Sequence, residues 1–341
     1  MSRVSIVSSL HDTSDTPTLV ALHQYYSPAT VFTYIIRRLL SLIFVLFSIT
    51  FLTFVVGYLA PGDPVQAMLG QKRDPKLYEQ LRHEYGLDRP WPEQYFNYIA
   101  GVLHGDLGKS YRYAGRPVWE MIRQGVPISA TLGLVALMLS LLIGVPLGVL
   151  AAVRTNGLFD QLGMALMLLI FSVPGFVIAG VLQTLQVILF QNKFPSLPTS
   201  GWGRPEHWVL PVLVLAATTT GYLARLTRAS MLEVLGQDYI RTARAKGAGA
   251  TRVLIRHALR NALIPIVTVL GPSVAFVVVG SFAVENVFRV PGIANFAIAA
   301  IGTRDYPVIQ STTLLLALVV VIMNLFTDVA YTLLDPRIRA S

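Results

Sequence analysis

The chain contains no cysteine. Disulfides, thiolate metal sites and cysteine nucleophiles are therefore excluded, while loops facing an oxidising compartment are allowed. Charge is scarce too: Asp, Glu, Lys and Arg make up 13% of the 341 residues, against 54% apolar residues. A soluble domain carries far more charge on its surface, so this composition describes an integral membrane protein. Six histidines (His11, His23, His83, His104, His207 and His257) are scattered without ligand spacing. They give metal or acid–base chemistry little support, and no catalytic residue is expected. Acids are the rarer sign, 18 against 27 Lys and Arg, for a net charge of +9. Nucleic acid could draw such a surplus, but Lys and Arg crowding the cytosolic ends of spans is the commoner origin, and a membrane surface would compete for the same side chains.

Long apolar runs are what the chain has in excess. About 20 residues cross roughly 30 Å of hydrocarbon as a helix. Six runs approach or exceed that length, at residues 37–60, 128–153, 162–190, 208–223, 262–283 and 312–334. The expected fold is an all-α polytopic membrane protein with six transmembrane helices and both termini on one side. The first run is too long for a signal-peptide core and ends in Pro61-Gly62-Asp63-Pro64, so it reads as a retained span. Residues 1–31, rich in Ser, Thr and His, read as a mobile cytoplasmic tail ahead of a membrane domain over 32–341.

Orientation follows from basic residues near span ends. Arg37 and Arg38, Arg154, Arg337 and Arg339 share a side with Arg225, Arg228, Arg241, Arg244, Lys246, Arg252, Arg256 and Arg260. That side is the cytosol, and both termini lie there. The opposite short loops hold Lys193 with Arg204, and Arg289 with Arg304, beside acids such as Glu206, Glu285 and Asp305. The extracytoplasmic loop 61–127 is studded with Tyr78, Tyr85, Trp91, Tyr95, Tyr98, Tyr111 and Trp119. Aromatics at that density suit a folded cap or a belt at headgroup depth equally. Gly144, Pro146 and Gly148, Pro174-Gly175, and Pro272 interrupt spans, as in a moving pathway but also in static bundles.

Between the fourth and fifth runs lies a cytoplasmic region, 224–261, with more order than a solvated loop needs. Asp238 is placed to cap a short helix running to Lys246, and Gly247 and Gly249 supply a stop and a turn. Arg252, Arg256 and Arg260 then recur every four residues on one helical face, with Leu254, Ala258 and Ala262 on another. Like charges at that spacing call for lipid phosphates or acidic protein groups opposite them.

Rival functions leave traces that can be weighed. Residues 103–110 nearly fit a phosphate-binding loop, but Leu103 stands where its first glycine belongs and no strand-to-helix context surrounds it. An ion-coupled secondary transporter needs ionisable groups near mid-membrane. Asp328, beside Asn324 and Thr327 in the last span, is the main candidate. A structural membrane acid, paired with Arg225 or Arg228 or held by a hydrogen bond, is the favoured reading. Glu285 reads as a fastener for the loop after the fifth span. A channel or scaffold would not require the short cytosolic helix.

Arg241-Thr242-Ala243, followed by Gly247 and later Ile264-Pro265, resembles the EAA loop of bacterial ABC importer permeases, in the variant of the dipeptide and oligopeptide permease family. The resemblance runs from about Phe32 to Arg339. It takes in Ala60-Pro61-Gly62-Asp63-Pro64, Gly86-Leu87-Asp88-Arg89-Pro90, Gly105-Asp106-Leu107-Gly108, Glu285-Asn286-Val287-Phe288, Pro291-Gly292 and the closing Asp335-Pro336-Arg337-Ile338-Arg339. It implies a type I ABC importer permease fold in the bacterial cytoplasmic membrane. Asp238, Tyr239, Arg241, Thr242, Ala243, Lys246 and Gly247 would form the ATPase-coupling element, docking in a groove of an ATP-binding subunit. Implied partners are a second, homologous permease, two ATP-binding subunits holding ATP and Mg, an extracytoplasmic substrate-binding protein and membrane lipid. This chain itself would hold no cofactor. Relatives carry dipeptides, oligopeptides, nickel chelates, glutathione or oligosaccharides. Two departures stand out: Arg241 and Thr242 replace the Glu and Ala of the general signature, and Arg289 follows Phe288 where a small or polar residue is commoner.

Overall fold

In hydrocarbon no water is at hand to satisfy backbone groups, so each long apolar run must close its own hydrogen bonds as helix. The computed structural model describes residues 28–70, 74–113, 115–190 and 197–334. Tail residues 1–27, Lys193 and the closing Asp335–Arg339 motif lie outside the described residues. In chain order come α1 (Pro28–Leu59), α2 (Pro64–Leu69), α3 (Pro75–Glu84), α4 (Trp91–Leu103), α5 (Val118–Val153), α6 (Leu158–Ser172), α7 (Gly175–Phe190) and α8 (Glu206–Leu235). Then follow α9 (Asp238–Ala245), the single turn α10 (Ala250–Arg252), a π-helical stretch (Val253–Leu259), α11 (Arg260–Val287), α12 (Ile293–Thr303) and α13 (Tyr306–Leu334). The described residues contain no strand beyond one isolated bridge, Lys109 to Pro117.

Among the described residues, five helices are long and apolar enough to cross a membrane, and up to six if α6 and α7, bent by 101°, count as one span. That bend sits where proline was expected to act. Pro174 has no N–H to give and pushes the preceding residue out of the helical region, and Val173 is extended at ψ 126. The Pro174 carbonyl then accepts from Val177 N at 2.9 Å as the chain turns into α7.

Two elements escaped the hydropathy reading. The α5 helix begins at Val118, ten residues before the apolar run at 128, with Val118, Met121, Ile122 and Gly125 on its buried side. These residues are amphipathic, not uniformly apolar, so they carry helical periodicity without span-like hydropathy. Likewise α12 fills part of what reads as a loop between the last two runs, burying Ile293, Ala294, Ala297 and Ala300.

A close seam joins α5 to α8. A Cβ on Gly148 would lie 2.5 Å from the Ala224 carbonyl oxygen and 2.6 Å from Thr227 Cβ, so only glycine lets these backbones approach so closely. Ser140 Oγ spans the seam, donating within hydrogen-bond range of Ala136 O at 2.7 Å and Ala216 O at 3.1 Å.

The described residues between 61 and 117 form a cap with three short helices, α2, α3 and α4. Asp63 and Asp74 accept backbone N–H bonds from Val65 (2.8 Å) and Lys76 (2.9 Å) at the starts of α2 and α3, and Tyr78 Oη donates to the second Asp63 oxygen at 2.5 Å. Tyr95 is buried with Phe47, Phe51 and Phe54 packed around its ring, which holds α4 on α1. Tyr85 and Tyr111 meet edge to face at 4.9 Å, while Trp91, Phe96 and Trp119 remain exposed. The packed rings among them are those of a folded cap. Asp305, buried at the corner between α12 and α13, fastens the cap: it accepts from Ser110 Oγ, from Tyr111 N at 3.0 Å and from Arg112 N at 3.2 Å.

Candidate functional site

The short helix α9 hangs between the two spans α8 and α11. Its N-cap is Gln237, not Asp238; Asp238 occupies the first turn and makes no side-chain cap. A carboxylate there still suits the helix dipole. Its only side-chain partner among the described residues is Arg241, at 3.5 Å between two exposed groups, a contact of little energetic weight. The C-terminus is built as the sequence implied. Gly247 adopts φ +80, and the bonds Ala248 N to Ala243 O (3.1 Å) and Gly247 N to Arg244 O (2.9 Å) close a Schellman motif. Gly249 is extended and precedes α10 instead of forming the stop.

One side chain anchors the helix. Ile240 is fully buried against a cluster containing Ala152, Met231, Val253, Ala258 and Ala262, with Ala243 half-buried on the same side. Tyr239, Arg241, Thr242, Arg244 and Lys246 are exposed. A second tie comes from Asn261, whose Nδ2 donates to Tyr239 Oη at 2.7 Å. Only Gly236 and Gln237 separate α9 from α8, so a push on the exposed face of α9 reaches two membrane helices with little slack.

The basic stripe is present with one change of geometry. Arg252, Arg256 and Arg260 are exposed and Ala258 and Ala262 buried, but Val253 to Ala258 is a five-residue step through π-helix. A π turn holds more residues than an α turn, and here it lets Val253 and Ala258 both face the core.

Above α9, Arg228 forks onto Asp160, with Nε to Oδ1 at 2.5 Å and NH2 to Oδ2 at 2.7 Å, and Asn156 N adds a third bond at 3.0 Å. The bidentate partner is an acid 68 residues away in sequence at the start of α6. The Asp328 side chain, expected to meet Arg225, Arg228 or a hydrogen-bond partner, lies outside the described residues. Arg225 stacks its guanidinium 4.7 Å over the Phe171 ring.

Residues 103–110 do not form a nucleotide cradle of the P-loop kind, because they leave the end of α4 without a preceding strand. There Asp106 accepts from Gly108 N at 2.9 Å and Ser110 is spent on Asp305.

Residues 31–133 match the profile of the N-terminal part of binding-protein-dependent transport system membrane components, and residues 144–340 match that of the binding-protein-dependent transport system inner membrane component. The chain belongs to this family. It is 40% identical over 306 residues to the dipeptide transport system permease protein DppB of Bacillus subtilis, covering 90% of this chain and 97% of that one. To DppB of Escherichia coli K12 it is 39% identical, covering 90% and 98%, and to the glutathione transport system permease protein GsiC of Salmonella typhimurium 39%, again 90% and 98%. The inward-facing MetNI methionine ABC transporter shares its fold, with a TM-score of 0.54 at 18% identity over 64% of this chain and 97% of that one. The chain is therefore a multi-pass inner-membrane permease subunit of an ABC importer.

In the permease the Glu285 expectation holds. Glu285 is fully buried; it accepts from Ser129 Oγ at 2.6 Å and from Ala294 N at 3.0 Å, while Ser129 Oγ accepts from Ile293 N at 2.9 Å. The clasp joins α5, α11 and the start of α12. Arg289 has φ +52, a left-handed backbone that explains why a small or polar residue is commoner there.

Proposed function

We propose that this permease imports dipeptides or short oligopeptides, forming one half of a translocation pathway beside a second, homologous permease. Six spans, with α6 and α7 as one broken span, put both termini in the cytosol. On that side α9 docks into an ATP-binding subunit, through Tyr239, Arg241, Thr242 and Lys246 on its exposed face. Asp238 favours its first turn, Ala243 seats it and Gly247 ends it. ATP and Mg are held by two such partner subunits, a substrate-binding protein delivers cargo from outside, and the arginine stripe 252–260 meets lipid phosphates or acidic protein groups.

The observation that carries this reading is the mounting of α9: buried on one face by Ile240, exposed on the other, stopped by Gly247 and joined closely to two membrane helices. Peptide cargo is supported by the likeness to two DppB proteins. The likeness to GsiC, named for glutathione transport, keeps a tripeptide-like cargo in view. An ion-coupled mechanism is disfavoured because Asp160 and Glu285 are already committed to Arg228 and Ser129, and Asp328 is assigned a structural part.

Gly247→Pro and Ala243→Asp test the coupling role. Proline cannot take φ +80, and a carboxylate at Ala243 cannot enter the apolar seat without a partner. Both variants should insert normally and lose ATP-driven uptake; normal uptake in both refutes the assignment, and uptake driven by an ion gradient without ATPases refutes the ABC mechanism.

A further inference from the structure

A cleft of about 620 Å³ lies between the cap helices, the end of α1 and the first turn of α13. Ligand sites fall in the range of about 300 to 1,000 Å³, and this space accommodates a molecule of two or three amino-acid residues. Its wall includes Tyr85, Tyr98, Tyr111 and Tyr306. Burial raises the pKa of the cap tyrosines Tyr85, Tyr98 and Tyr111, so these phenols stay neutral donors. The hydroxyls of Tyr98 and Tyr306 are buried without a hydrogen-bond partner among the described residues, an arrangement that structures rarely leave unfilled.

Most charges around the cavity are committed. Arg89 pairs with Glu93 at 3.0 Å and His83 with Asp88 at 2.8 Å. Asp63 takes Val65 N and Tyr78 Oη, and Asp106 takes Gly108 N. Arg82 and Glu84 also line the cavity, yet neither side chain has a hydrogen bond or ion pair among the described residues. One spare cation and one spare anion beside aromatic walls match a zwitterion with an extended, partly apolar body.

We infer that the cap cavity is a peptide-binding site of the permease itself, in which Arg82 receives the terminal carboxylate of a short peptide, Glu84 serves its ammonium end and the tyrosines hold its middle. This rests on the peptide-import reading and on the cap lying outside the cell. Such a site holds cargo beside the pathway, independently of the delivering protein.

The test uses the complete importer in nanodiscs, without its binding protein, and radiolabelled alanyl-phenylalanine or its C-terminal amide. Saturable binding of the free acid is expected, weakened about tenfold or more by Arg82→Gln, the loss of one charge-assisted contact. Amidation should weaken wild-type binding similarly and Arg82→Gln binding no further. Arg82→Lys should retain part of the binding, separating lost charge from lost folding. The inference falls if no saturable binding occurs at millimolar peptide, if the amide binds as well as the acid, or if Arg82→Gln binds the free acid as well as the wild type. ATP-driven uptake of the same peptide, with the binding protein added, separates the two readings: uptake without cap binding overturns the cap site alone, and cap binding without uptake overturns peptide import alone.

Discussion

Replacing Ile240 by Ala should release α9 from the permease while leaving the membrane helices in place. Ile240 is the one fully buried side chain of an eight-residue helix, and isolated helices shorter than about 12 to 15 residues are marginal in water. The helix therefore persists through its seat. Truncating a buried Ile to Ala costs about 2 to 5 kcal/mol, and the lower figure alone raises the detached population about 30-fold. Tyr239 keeps its bond to Asn261, but that bond is exposed and offsets little. Trypsin reads the detached state directly, because Arg241, Arg244 and Lys246 lie on this helix or at its end. When opening is fast, cleavage follows the open population, so the initial rate in nanodiscs should rise about 30-fold or more while ATP-driven uptake collapses. Ile240→Val, costing about 0.5 to 1.5 kcal/mol, should fall between the two. An inserted Ile240→Ala protein cleaved at the wild-type rate would refute the reasoning, since the helix would then be held by something other than this side chain.

At the opposite end, Gly292→Ala should unfasten the Glu285 clasp, because the new Cβ overlaps Glu285 Oε2 and lies 2.5 Å from Ser129 Oγ. Overpacking of this kind costs about 1 to 3 kcal/mol, seen as a lower thermal midpoint, and an unchanged midpoint would show that the clasp yields freely. Asp160→Asn removes the charge opposite Arg228; with Arg228 28% exposed, the loss should be about 1 to 3 kcal/mol, below the 3 to 5 of fully buried pairs. A thermal midpoint equal to wild type would contradict it. In the cap, the hydrogen bond to Asp63 raises the pKa of Tyr78. A raised folded pKa means that this contribution is complete below the ordinary tyrosine value near 10 and is lost as pH rises through the folded value. Protease resistance of the cap should thus fall on strong alkalinisation in the wild type, with a smaller change in Tyr78→Phe; identical alkaline profiles would remove Asp63–Tyr78 from the account.

Much of this permease was legible one residue run at a time. Scarce charge and long apolar stretches determine a helical membrane protein, because unpaired backbone is intolerable in hydrocarbon. Pro174 announces the break between α6 and α7, and Gly247 announces the end of α9, because each acts within a turn of its own position. The exposed Arg252–Arg256–Arg260 stripe follows from helical spacing alone. The start of α5 at Val118 was hidden because it is amphipathic, and α12 because, though apolar, its 11 residues are too few for a span. Which charge meets which was decided only in three dimensions. Asp160 with Arg228, Ser129 with Glu285 and Ser110 with Asp305 are 68, 156 and 195 residues apart. No local period encodes such pairs: they arise when packed helices bring distant side chains within about 3 Å, where a buried polar group must find a partner.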